Sequence, residues 1–196
     1  MHKKIGLYGG TFDPVHAGHT ALVNSFLSTD LIDELWIILT PFPPHKLNTN
    51  PTTYTRRLDM LQLAFNSMNN VVIQTFENEL PKPSYTYRTI EHLRLTYSDN
   101  HFYYCLGGDS LVNFHTWKHP DRIINEVDLL VAARPGFEGQ SIDATILSKT
   151  YFVEHVPLDI SSTDIKLRIA GNKSIEGLVD QDVESYIRTH KLYRSN

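Results

Sequence analysis

Six short β-rich runs, "KIGLYG", "ELWIILT", "NVVIQT", "FYYCLGG", "DLLVAA" and "TYFVEHV", alternate along this chain with segments of helical period, and that alternation leaves few folds open. The helical segments run from Ala17 to Leu27, Tyr54 to Asn66, Thr86 to Tyr97 and Asp182 to His190. Strands separated by helices pair in parallel through right-handed crossovers. The expected fold class is therefore α/β: a doubly wound, Rossmann-like parallel sheet of order 3-2-1-4-5 with a further strand and helices on both faces. At 196 residues, 41% of them apolar and 11% aromatic, the chain fits a single domain over residues 1–196. Long loops are expected at Pro41–Thr53, Glu79–Ser84 and Pro135–Gln140.

In such sheets a ligand sits beyond the carboxyl ends of the strands, where strand order reverses. Two runs end in paired glycines, Gly9-Gly10 and Gly107-Gly108, which would flank one crevice if strands one and four are neighbours. No GxGxxG and no GxxxxGK[ST] occurs, so neither a dinucleotide fingerprint nor a P-loop accounts for them. After the first pair come Asp13-Pro14, a favourable helix start with Asp13 read as the cap, and then His16 and His19 on one face of the opening turn. There the helix dipole, its free N–H groups and two imidazoles favour an anion such as phosphate.

The formal charge is −4, from 18 basic and 22 acidic residues, so no global positive field would hold nucleic acid and an anion must be recruited locally. No apolar run approaches membrane-spanning length and no signal peptide precedes the first strand, so a cytoplasmic protein without a membrane partner is expected. The single cysteine, Cys105, excludes an internal disulfide framework and reads as a buried strand residue. A metal site built by the protein is not expected: two histidines three apart need a third ligand, and no HExxH or cysteine cluster supplies one. His115 and His119 lie in a segment that reads as loop.

"GGTFDPVHAGH" resembles the signature of the HxGH nucleotidyltransferase superfamily, and within it the chain is similar to the bacterial nicotinate mononucleotide adenylyltransferases. Further segments agree in order: "PPHK" at 43–46, "PSYTYRTIEHL" at 83–93, "GGDSLVNFHTW" at 107–117, "AARPG" at 132–136, "DISSTDI" at 159–165 and "YIRTHKLY" near the end. The resemblance implies transfer of the adenylyl group of ATP to the 5′-phosphate of nicotinate mononucleotide, with Mg²⁺ bridging the ATP phosphates. The related alternatives are an adenylyltransferase or cytidylyltransferase with another phosphorylated acceptor, and a non-catalytic nucleotide sensor.

The resemblance also implies roles. His16, His19 and Lys46 would be catalytic. The ATP site would comprise these three with Gly9, Gly10, Thr11, Asp109, Arg134, Ser161, Ser162, Thr163 and Lys166. Thr86, Gly107, Asp109, Trp117 and Lys118 would bind nicotinate mononucleotide. Asp109 suits either a ribose hydroxyl or the start of the next helix. Two departures stand out: the family's Arg three residues after the ISST threonine is Lys166 here, and Trp117 is followed by Lys118 rather than Tyr. Lys166 keeps the charge without the planar fork, and Arg168, about 200° further round a helix, does not replace it.

Overall fold

The computed structural model describes residues 2–43, 51–137 and 142–194. Six parallel strands form its sheet: β1 (Lys4–Gly10), β2 (Glu34–Leu39), β3 (Val71–Gln74), β4 (His101–Gly107), β5 (Asp128–Ala133) and β6 (Thr150–Glu154), in the order β3-β2-β1-β4-β5-β6. This is the expected order with the further strand at the edge. The chain runs outward from β1 to β3, returns to the other side of β1 as β4, and continues to β6. Order therefore reverses between β1 and β4, where Leu7 pairs with Tyr104 and both strands go on into glycines.

Among the described residues, eight α-helices connect or follow the strands: α1 (Ala17–Leu27), α2 (Tyr54–Phe65), α3 (Thr86–Thr96), α4 (Gly108–Val112), α5 (Pro120–Glu126), α6 (Ala144–Ser148), α7 (Ser162–Ala170) and α8 (Gln181–Thr189). The strands alternate their side chains between two apolar layers. Tyr103 and Cys105 enter the layer with Phe26, Met60, Ile165 and Val183, whereas Phe102, Tyr104 and Leu106 enter the layer with Ile90, Phe114 and Ile123. Both faces are covered, as a parallel sheet requires. Cys105 is buried in the first of these layers, and its thiol pKa is raised by burial.

Two local expectations are corrected. Asp13-Pro14 does not start α1: the helix begins at Ala17, His16 occupies the N-cap position, and the Asp13 side chain caps nothing. The segment around His115 and His119 is ordered as a 3₁₀ turn over Phe114–Thr116 and then α5, with His119 in left-handed backbone at its N-cap. A 3₁₀ turn over Phe76–Glu79 also precedes the loop expected at Glu79–Ser84. No helix among the described residues is long and apolar enough to cross a membrane.

Candidate active site

A cavity of about 1080 Å³ opens at the carboxyl ends of the strands, lined by Gly9 and Gly10 from β1, Leu106 and Gly107 from β4, Ala132 from β5 and His155 just after β6. Both glycine pairs face it, as the strand reversal predicts.

One part of the cavity wall is built by the loop from β1 to α1. Phe12 takes left-handed backbone, Asp13-Pro14 is cis, and the chain turns so that His16 and His19 lie against each other with ring centroids 3.7 Å apart. The N–H of His16 donates to Nδ1 of His19 at 3.2 Å, so a neutral His19 ring carries its proton on Nε2. His16 is 9% exposed, and its Nδ1 has no hydrogen-bond partner among the described residues. Burial pushes the pKa of His16 down to about 4, leaving the ring neutral at pH 7. Gly18 makes room for that ring, because a Cβ there would stand 3.0 Å from His16 Nδ1. Thr11 lines the same wall.

The wall also holds Thr86, Trp117 and Lys118, with Asp109 and Arg134. Trp117 is half-buried, perpendicular to Tyr104 at 5.7 Å and tilted against Phe114 at 5.2 Å. Thr86 is the first residue of α3, not its cap. Burial raises the Tyr104 pKa to about 12, so the phenol stays protonated. This part of the wall offers an aromatic platform, hydroxyls and one exposed ammonium.

The ISST segment is placed differently from the rest. Ser161 caps α7, accepting from the Asp164 N–H at 3.1 Å, and Ser162 Oγ donates to the Pro14 carbonyl at 2.9 Å. Ser161, Ser162, Thr163 and Lys166 are not among the residues lining the cavity, although Ile160 is. The Lys166 ammonium pairs with the Asp13 carboxylate, and Arg168 points to the Ser174 carbonyl. Lys46 lies outside the described residues. His115 Nδ1 is bonded to the Val112 carbonyl, and the His119 ring packs edge-on against Tyr87.

Sequence reasoning missed Tyr104 and His155 as lining residues. Tyr104 sat inside the apolar run "FYYCLGG", and only the period of two, anchored on a known register, separates its face from that of Tyr103. His155, 8% exposed with Nδ1 3.0 Å from Ser25 Oγ, had no motif around it.

The cytidylyltransferase-like family matches residues 7–168. The nicotinate-nucleotide adenylyltransferase of Bacillus subtilis is 32% identical over 193 residues, covering 98% of this chain and all of that one. Among solved structures, Plasmodium falciparum nicotinic acid mononucleotide adenylyltransferase complexed with NaAD superimposes with a TM-score of 0.81 at 21% identity over 98% of both chains. The same enzyme complexed with APC gives 0.79 at 21% identity over the same shares. At that identity the structural likeness speaks for the fold.

Proposed function

Because this chain belongs to the nicotinate-nucleotide adenylyltransferases within the cytidylyltransferase-like family, we infer that it transfers the adenylyl group of ATP to the 5′-phosphate of nicotinate mononucleotide. The products are deamido-NAD and pyrophosphate. The observation that carries this reading is one cavity whose wall brings together the glycine pairs and His16 and His19 with Thr86, Trp117 and Lys118.

An oxygen of the acceptor phosphate attacks the α-phosphorus of ATP, and the bond from that phosphorus to the oxygen bridging to the β-phosphate breaks. Pyrophosphate leaves with the electron pair. Such a step needs alignment and charge neutralisation more than covalent help from the protein. Gly9, Gly10 and Thr11 let backbone and hydroxyl approach the reacting phosphates. The His19 ring, whose Nδ1 accepts from the His16 N–H, presents Nε2 as a hydrogen-bond donor suited to charge developing on the triphosphate. His16, neutral at pH 7, lies beside it. Arg134 on the wall and Lys46, from its place in "PPHK", are assigned to the phosphates, and Asp109 to a ribose hydroxyl.

Among the described residues no group of three or more His, Cys, Asp or Glu side chains could hold a metal. The wall offers the isolated carboxylate of Asp109 with hydroxyls, which suits an ion carried in by ATP phosphates and waters. Mg²⁺ is accordingly proposed to enter as part of the nucleotide substrate.

Trp117 stacks on the pyridine ring, which supplies affinity and does not distinguish acid from amide. The Thr86 hydroxyl, backbone N–H groups and the Lys118 ammonium are donors. They satisfy both oxygens of a carboxylate and leave an amide NH₂ facing donors. The test is pyrophosphate release from ATP with nicotinate mononucleotide, its amide counterpart and phosphopantetheine in turn. Nicotinate mononucleotide should give the highest kcat/KM, by at least ~100-fold over the amide. Thr86→Ala should cost the acid more than the amide. Release with phosphopantetheine alone would move the chain to another acceptor, and ATP binding without release from any acceptor would make it a sensor.

A further inference from the structure

Outside the cavity wall, the carboxylate of Asp13, whose side chain is 5% exposed, is held by three hydrogen bonds among the described residues. Lys166 Nζ contacts its Oδ2, and the Thr52 N–H donates to the same oxygen at 3.3 Å. The Tyr193 hydroxyl donates to Oδ1 at 2.7 Å, and the Tyr193 ring lies beneath the Lys166 ammonium, 5.2 Å from centroid to nitrogen. Behind the same loop Arg57, 2% exposed, donates to the carbonyls of Thr11, Thr40 and Thr52 at 2.8, 3.0 and 3.1 Å. α7 is tied to the loop a second time by Ser162 on the Pro14 carbonyl. These contacts bracket the turn that ends in His16.

The protein therefore already supplies the Lys166 ammonium with a carboxylate and an aromatic face, and Lys166 is not on the cavity wall. We propose that Lys166 is a positioning residue and not a ligand of the triphosphate: supported by Tyr193, it neutralises and fixes Asp13, which holds the turn presenting His16. This rests on the adenylyl-transfer reading. Removing the half-buried Lys166 ammonium leaves the buried Asp13 carboxylate without its direct ion-pair partner. The proposal also accounts for a lysine where the family carries arginine, since one contact to one carboxylate oxygen uses a point charge and needs no planar fork.

Two measurements decide it. In steady-state kinetics Lys166→Met should lower kcat by at least about tenfold while KM for ATP stays within about twofold. Tyr193→Phe should shift kcat in the same direction by less, and Lys166→Arg should keep most activity. A rise in KM for ATP with kcat held, and no effect of Tyr193→Phe, would overturn the proposal and make Lys166 a nucleotide ligand. The second measurement needs no activity: a double-mutant cycle of Asp13→Asn and Lys166→Met, read as urea midpoints. The loss from Lys166→Met should shrink when Asp13 is already Asn. Additive losses would refute the pairing. A wild-type protein that releases no pyrophosphate would defeat the adenylyl-transfer reading, and the cycle would still decide the contact.

Discussion

His16 is a buried imidazole kept neutral, which has a consequence for stability as well as for chemistry. Its pKa falls from 6.5 to about 4 on folding because burial penalises the charged ring. Between those values the unfolded chain binds a proton that the folded chain does not, so stability rises with pH across the window and is lost as pH drops from 6.5 toward 4. The contribution is roughly 3 kcal/mol at most. His16→Asn should therefore flatten the pH dependence of urea unfolding between pH 6.5 and 4. At pH 7.5 it should lower kcat by at least ~100-fold with little change in melting temperature. A melting temperature that collapses at pH 7.5 would assign His16 to packing instead. The histidine pair was legible because two glycines, a Pro turn and an i, i+3 spacing are all local. The fate of Asp13 was not: its partners Lys166 and Tyr193 lie 153 and 180 residues away, and no local rule distinguishes a capping carboxylate from one used in a distant ion pair.

Elements frame the cavity through two glycines that do different work. Gly18 sits in the first turn of α1, where alanine is favoured over glycine by roughly 1 kcal/mol of helix propensity. A Cβ there would meet the His16 ring at 3.0 and 3.1 Å, so Gly18→Ala should leave the melting temperature near wild type and lower kcat by displacing that ring. Gly107, the N-cap of α4, has nothing within 4 Å of its would-be Cβ and an ordinary φ of −81°. Gly107→Ala should fold unchanged and raise KM for nicotinate mononucleotide, because its methyl projects into open cavity space. Melting curves with steady-state kinetics on both variants check the pair, and a destabilised Gly107→Ala would show that the strand end is packed. The strands and the helices α1, α2, α3 and α8 were readable from period and β-branched content. α4 and α6 have five residues each and α5 has seven, too short for a 3.6 period to repeat, so they appear only once the sheet places their apolar residues.

At the scale of the whole molecule, sheet order follows from where the crossovers go, which the alternation of runs and helices predicted, and the reversal between β1 and β4 then fixes where a ligand fits. What sequence could not supply was the joint shape of the cavity wall, since Thr86, Trp117 and Tyr104 meet only through non-local packing. A chain of net charge −4 that binds two phosphorylated substrates must neutralise them with a few placed cations, hydrogen-bond donors and whatever cation the nucleotide brings. A Mg²⁺ held mainly by ATP and water would belong to the substrate and contribute nothing to the ligand-free fold. Chelation with EDTA should therefore leave the melting temperature of the ligand-free protein unchanged and abolish pyrophosphate release. Magnesium and ATP together should raise the melting temperature, by roughly 2.7 kcal/mol of added stability at a hundred times Kd, and EDTA should remove most of that gain. A ligand-free protein that melts lower in EDTA would instead reveal a metal resident in the fold, held by residues other than those assigned to the cavity.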